Sequence, residues 1–389
     1  MMTNNKVFNF YVFAYLLLFM QSMHVWFLWG DLFKIACPIF FLLVAYLNRL
    51  KNPSCYSSYA QSKNKILLAI FVFIALQGSY DAGILSICKS LVGVAALYEI
   101  VTLSEDTCTK LLAVLTKTFG LISVVSLVGW LFFLVGFPLP NSNIVDLEFG
   151  YTFDNYYVFL YNQLGPIPRF CSVFLEPGYY GQLAAVILFA NRMRLNNVYT
   201  FTIFIANLFS LSLAGYVLVV LGFVFSNVNK RNLWKLIILT CLGYGSFLFI
   251  KSYNGGSNPI NEFIFARLEV EDGKLVGDDR STKELDAYLH NGLIKNGKFL
   301  FGHGSEFSKM DWGHGVAGYK AYIVENGYVG LVLAIVAYVI LLFRRSQANM
   351  MMKSCLFLFM LMYWQAAYPF WLGFFSIYVF SLANLRKYV

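Results

Sequence analysis

The sequence is poor in charge. Only 13% of its 389 residues are Asp, Glu, Lys or Arg, where soluble domains carry roughly 25%. That excludes an ordinary soluble enzyme, and the 19% aromatic content excludes a disordered chain. Proline is scarce, at 9 residues, and neither an internal repeat nor a low-complexity tract is present. GxxxxGK[ST], the protein-kinase set and GxSxG are missing, so nothing supports nucleotide-driven chemistry. Metal ligation also lacks a pattern. HExxH is absent, and Cys37, Cys55, Cys88, Cys108, Cys171, Cys241 and Cys355 are scattered, with no CxxC. They read as small hydrophobes and free thiols. No cofactor is indicated.

What is present is hydrocarbon. Hydrophobic residues make up 59% of the chain, with Phe 39 and Tyr 26. A membrane core about 30 Å thick is crossed by roughly 20 helical residues. Apolar runs fall near 7–28, 32–48, 66–80, 82–103, 111–137, 173–191, 198–211, 213–227, 233–250, 320–343, 351–367 and 370–385. They predict an all-α, polytopic bundle of about 12 transmembrane helices. The seventh and eighth runs are barely separated and can also be read as one long tilted helix. Run 7–28 is too long for a signal-peptide core and has no small-residue cleavage site, so it reads as an uncleaved first span.

The net charge of +9 could indicate nucleic acid, but its placement favours membrane topology instead. With the N-terminus inside, the short inner segments collect Arg49, Lys51, Lys63, Lys65, Arg192, Arg194, Lys230, Arg231, Arg344, Arg345 and Arg386. The short outer turns hold almost none. This is the positive-inside pattern, which counts short loops and not long ones.

Two long outer segments remain, near 138–172 and 251–316. The chain accordingly divides into helices 1–9 over 1–250, a large loop over 251–316, and helices 10–12 over 317–389. The large loop contains His290, His303 and His314, three of the four histidines. Its stretch from Asp279 to Ile294 places Leu285, Leu289 and Leu293 four apart, so it predicts an amphipathic helix and a partly helical loop.

Chemistry concentrates at three places. In the first, Arg169 stands at a predicted outer membrane edge and Glu176-Pro177-Gly178 follows. Proline suits the first turn of a helix, where its missing N–H costs nothing. A carboxylate there faces the positive helix end. An ionisable group at such depth is a functional candidate, and a structural ion pair or a helix cap are the alternatives. Tyr179 and Tyr180 follow as sugar-stacking candidates, or as interfacial anchors. In the second, Arg280 lies in Gly277-Asp278-Asp279-Arg280-Ser281. In the third, Gly302-His303-Gly304 and Gly313-His314-Gly315 lead into a segment carrying Tyr319, Lys320, Tyr322 and Glu325-Asn326-Gly327. Glycines beside histidines permit close approach of backbone to a ligand, or simply form turns.

With these residues the chain resembles the Wzy-type O-antigen polymerases and the related O-antigen ligases. That superfamily has ten to fourteen spans and a large periplasmic loop before the last helices. The likeness rests on Arg169 before Glu176-Pro177-Gly178, on Arg280 in the large loop, on Gly302-His303-Gly304, and on His314 ahead of Glu325-Asn326-Gly327. Where the family often has Pro-Asn, this sequence has Pro-Gly.

The resemblance implies a bacterial inner-membrane glycosyltransferase whose site faces the periplasm. It would join oligosaccharide repeat units carried on undecaprenyl diphosphate, releasing the lipid diphosphate, with a chain-length regulator as partner and with no nucleic acid involved. Arg169 and Arg280 would hold the diphosphate, because guanidinium binds phosphate bidentately. His314 or Glu176 would assist the acceptor hydroxyl. Tyr179, Tyr180, His303, Lys320 and Glu325 would line the substrate cavity. Ligation of finished glycan is the neighbouring reading. Transport of a lipid-linked sugar is the reading from another class.

Overall fold

The computed structural model describes residues 5–57, 61–79, 82–145, 152–161, 168–227, 248–249, 251–256, 258, 261, 270–271, 274–275, 281–304, 307, 310–312, 316–344, 347–365 and 368–386. About 75% of the chain is helical. The helices are α1 (Asn5–Ser22), α2 (Asp31–Lys51), α3 (Gln61–Ser79), α4 (Ile84–Thr102), α5 (Glu105–Leu134), α6 (Pro177–Ala190), α7 (Val198–Phe209) and α8 (Leu213–Asn227). After the large loop's short pieces, α9 (Lys283–Ala287) and α10 (Leu293–Lys295), come α11 (Gly318–Leu342), α12 (Met350–Gln365) and α13 (Leu372–Arg386). Each of these elements except α9 and α10 coincides with a predicted apolar run. The remaining run, 233–250, lies almost wholly outside the described residues.

Four helices, α2, α4, α5 and α11, are long and apolar enough to cross a membrane. Among the described residues, the expected twelve crossings are therefore not shown by full-length helices. At 1.5 Å per residue, α7 and α8 reach about 18 and 22 Å, short of the roughly 30 Å core. They are separate helices. Ser210 closes α7, and Leu211 adopts a left-handed φ of 47° before α8 begins.

The helices turn apolar faces outward. Along α2, Leu32, Leu43, Leu47 and Leu50 are exposed, Leu43 by 62%. Along α5, Leu121, Val125, Val128 and Phe132 form an exposed stripe at helical spacing. Water does not tolerate an apolar surface of this extent, but hydrocarbon does.

The chain forms two compact units, with the border inside α5. The first comprises 1–23, 27–113 and 279–389; the second comprises 24–26 and 114–278.

In the first unit, polar side chains join helix ends. Arg49 at the end of α2 pairs with Glu99 near the end of α4, at 2.7 Å, and donates to Thr102. Lys63 at the start of α3 donates to the Phe343 carbonyl that follows α11, at 2.7 Å. Arg344 donates to the Val101 carbonyl, and Arg386 pairs with Glu105. These contacts gather basic groups at one end of the unit. At the other end of α3, Gln77 Nε2 donates to the Phe301 carbonyl at 2.6 Å and to the Asn326 carbonyl. Between the ends, Tyr338, Tyr363, Tyr378 and Phe359 pack as a buried aromatic core.

In the second unit, α6 and α8 meet backbone to backbone. A Cβ on Gly215 would stand 2.9 Å from the Gly181 backbone, so glycine at both positions permits the approach. Here a small amount of strand joins the helical architecture that the sequence predicts. The first outer segment forms a small antiparallel sheet of β1 (Ser142–Val145), β2 (Thr152–Asn155) and β3 (Leu160–Tyr161), with Ser142 opposite Asn155 and Asp154 opposite Tyr161. Phe153 and Asn155 point inward on alternate positions of β2, the strand period of two. A further hairpin, β4 (Val270–Glu271) and β5 (Lys274–Leu275), lies in the large loop.

Candidate functional site

The second unit contains Arg169, Glu176, Tyr179 and Tyr180. Pro177 occupies the first turn of α6, and Glu176 is its N-cap residue with no side-chain capping bond. Phe170 to Leu175 before it are buried, so the loop dives into the unit before the helix starts. Arg169 extends to the α7–α8 turn. Its Nε donates to the Ser210 carbonyl at 3.2 Å and its Nη2 to the Leu211 carbonyl at 2.9 Å. The carbonyls at a helix end lack intrahelical donors, and a cation suits that end of the dipole. Arg169 thus holds a structural turn with part of its donor fork. Beside it, burial pushes the Cys171 thiol up to about 12, the Arg169 charge drawing it partly back down.

The structure corrects the reading of Tyr180 as a stacking platform. Tyr180 is 0% exposed. Its hydroxyl is hydrogen-bonded to Ser123 Oγ at 2.7 Å, and its ring stacks on Phe119 and meets the Phe170 ring edge-on. Both faces are covered by protein, leaving no room for a sugar. Tyr179 is half-buried and keeps partial exposure.

The first unit holds His303, Lys320 and Glu325. Arg280 and His314 lie outside the described residues. The described part of the loop folds on its own small core. Leu285, Leu293, Phe307 and Trp312 are buried against Ala321, Ile323 and Val324 of α11, with Leu289 packed beside them. These are the leucines that the spacing predicts, but the helix carrying them is interrupted. Tyr288–Gly292 winds as a π turn between α9 and α10. At about 100° per residue, eight α-helical residues would carry Leu293 some 80° past Leu285. The slower winding of a π turn brings the two back towards one stripe.

That π turn places Tyr288 against His303. Asn296 Nδ2 donates to the Tyr288 hydroxyl at 2.7 Å, and the hydroxyl lies 2.6 Å from His303 Nε2. A hydroxyl that accepts from Asn296 still has its own proton to donate to the imidazole. A second cluster lies nearby in sequence. Lys320 Nζ is 2.8 Å from Asp286 Oδ1 and 3.3 Å from Ser281 Oγ, and Ser281 donates to the same carboxylate oxygen at 2.5 Å. Thr282 caps α9 through the Leu285 N–H. Lys320 and Asp286 are both largely shielded, so the pair pins the loop core to α11.

The centre of this end is a break in α11. Gly327 has a φ of 69° and a ψ of 176°, which no helix contains. The N–H groups released there find new partners in the loop: Tyr328 N donates to the Phe299 carbonyl and Val329 N to the Leu300 carbonyl, both at 3.1 Å. On the other side of the break, His303 N donates to the Val324 carbonyl at 3.0 Å. A Cβ on Gly327 would fall on the Leu300 carbonyl, and one on Gly302 would fall on the Glu325 carbonyl. Glycine at both positions is thus a condition of the junction. Glu325 flanks it, with the Tyr368 hydroxyl hydrogen-bonded to its carboxylate. The Tyr322 ring meets the Tyr368 ring edge-on at 6.0 Å, and the Tyr322 hydroxyl is buried without a hydrogen-bond partner. Gln77 Oε1 is buried and unpartnered as well.

His303 and Glu325 are therefore brought to one junction, with Lys320 on the helical segment leading to it. Tyr288, Tyr368 and Gln77 were missed by sequence reasoning. Tyr288 and Tyr368 are two among 26 tyrosines, and Gln77 lies in an unremarkable apolar helix, so no local signal marked them. Among the described residues, no group of three or more His, Cys, Asp and Glu side chains is gathered as metal ligands. The arrangement places a carboxylate, an imidazole and hydroxyls near a helix break.

The long apolar helices and their outward hydrocarbon faces define a membrane-associated helical protein. No protein-family model, no curated protein and no solved structure matches the chain.

Proposed function

We propose that the chain is a membrane glycan polymerase that elongates oligosaccharides carried on undecaprenyl diphosphate. The observation that carries this reading is the position of the large loop. Its described part from Ser281 to Gly304 is seated on the first unit at the end of α3 marked by Gln77, opposite the basic end marked by Lys63 and Phe343. The positive-inside rule, with the basic end read as cytoplasmic, supports an outer, periplasmic location for the described loop part and the α11 break in this reading. Lipid-linked oligosaccharides would meet the protein there.

In this reading Arg280 offsets the negative charge developing on the departing diphosphate. Such stabilisation is commonly the largest catalytic contribution. His314 or Glu325 accepts the proton of the attacking hydroxyl as the new glycosidic bond forms and the bond to the lipid diphosphate breaks. His303 and Lys320 contribute to the sugar-binding surroundings. A chain-length regulator is the natural partner.

A cell lacking the protein should then make lipopolysaccharide with at most one repeat unit. An unchanged long ladder on a gel would exclude polymerase activity. Loss of all glycan from the core, single units included, would indicate ligation instead.

One observation favours a second reading. A helix broken beside a carboxylate, as α11 is at Gly327 and Glu325, is the kind of element from which secondary transporters build midplane sites. A transporter would move lipid-linked units between leaflets of a proteoliposome without lengthening them.

A further inference from the structure

The loop seated at the α11 break carries an apolar tip. Phe299, Leu300 and Phe301 are consecutive and are 40%, 51% and 53% exposed. Contiguous apolar side chains left outside mark an interaction surface. Their backbone is fixed. The Phe299 and Leu300 carbonyls accept from Tyr328 N and Val329 N of α11, and the Phe301 carbonyl accepts from Gln77 of α3. The Phe301 ring stands 6.4 Å from that of Phe73. Phe73 is itself exposed, with Ile66 and Leu76 on the same face of α3. The tip therefore continues the outward hydrocarbon face of a helix.

The two helices that hold the tip also measure its depth. Lys63 of α3 is bonded to the Phe343 carbonyl at the basic end, so both are measured from one level. At 1.5 Å per residue, Gln77 lies about 21 Å along α3 from Lys63, and Tyr328 and Val329 lie about 21–23 Å along α11 from Phe343. With the basic end at one boundary of a hydrocarbon core about 30 Å thick, the tip stands some 7–9 Å inside the other boundary. Helix tilt only sinks it further.

We infer that residues 299–301 dip into the leaflet opposite the basic end as a re-entrant wedge, with their side chains against lipid acyl chains. The inference requires that the apolar helices lie in a bilayer. It does not require that the protein joins sugars. Irregular backbone at such depth is tolerated where protein satisfies its polar groups, and all three tip carbonyls are satisfied in this way. Of the two nearby lysines, Lys298 is half-buried in protein and Lys295 is exposed. A lysine stem carries its charge over such a distance to the headgroups. The wedge holds the loop against the membrane beside the α11 break.

The test is photo-crosslinking of the full chain in nanodiscs of phosphatidylglycerol, with adducts read by mass spectrometry. The variants are Leu300→p-benzoylphenylalanine, Leu43→p-benzoylphenylalanine on the outward face of α2, and Glu284→p-benzoylphenylalanine on exposed α9. We expect lipid adducts at position 300 within about threefold of those at position 43, bonded to acyl methylenes, and at least tenfold fewer at position 284. Adducts at position 43 with no more at position 300 than at 284 overturn the inference. So do adducts from position 300 to a second copy of the chain in place of lipid, which would assign the tip to self-association. No lipid adduct even at position 43 would overturn the membrane reading and this inference with it.

Discussion

Arg280 is the residue on which the chemistry leans most, and its role is separable by two substitutions. Arg280→Ala should abolish glycan elongation while the protein still inserts and accumulates. Arg280→Lys should also fail badly, because an ammonium supplies charge without the planar fork. Ladder length in complemented cells, against protein level, measures both; full length in Arg280→Ala removes Arg280 from the site, and full length in Arg280→Lys reduces its role to charge alone. Tyr180 makes the opposite case. Its ring is packed between Phe119 and Phe170, so Tyr180→Ala should cost about 3–5 kcal/mol, as for other large aromatic truncations. Tyr180→Phe gives up only the bond to Ser123, about 1 kcal/mol. Thermal unfolding in detergent separates the two, and a normal ladder with Tyr180→Phe is expected.

At the scale of the element, the break in α11 matters most. Its geometry rests on left-handed backbone at Gly302 and Gly327, and on loop carbonyls that receive the helix N–H groups. Gly327→Ala should therefore displace residues 299–303 from the helix, because the new Cβ meets the Leu300 backbone and not a movable side chain. Limited proteolysis should then cut within 281–317 at least tenfold faster than in the parent. An unchanged rate would mean that the loop is held elsewhere. The sequence made part of this legible. Leu285, Leu289 and Leu293 announced a helix with one apolar face, and Glu325-Asn326-Gly327 stood out as polar residues beside a span. The π turn was not legible, because it follows from how the loop core packs on Ala321, Ile323 and Val324. Nor was the break itself, since a glycine in an apolar helix usually leaves the helix intact. Whether Gly327 bends the chain depends on Phe299 and Leu300, nearly thirty residues away.

At the scale of the whole molecule, hydropathy located the helices well and their lengths poorly. Runs 198–211 and 213–227 became two helices too short to cross, because Leu211 turns left-handed and Arg169 secures the turn from outside. Pro177 marked the start of α6 as its chemistry requires. The sheet of β1, β2 and β3 escaped notice, its strands being four residues or fewer and too short for a period to register. The basic helix ends, by contrast, were readable from Arg49, Lys63, Arg344 and Arg386, and all four bond across to another helix or its end at one end of the first unit. From that arrangement comes the account's main proposition, that an outward-facing loop seated on a broken helix joins sugars delivered on a lipid diphosphate. The most direct measurement is made with purified protein in detergent or nanodiscs, undecaprenyl-diphosphate-linked repeat units, and no nucleotide. Products are resolved by size. The account predicts a ladder of lengthened glycans together with free undecaprenyl diphosphate. Repeat units recovered unchanged from protein that is folded and correctly inserted would contradict it.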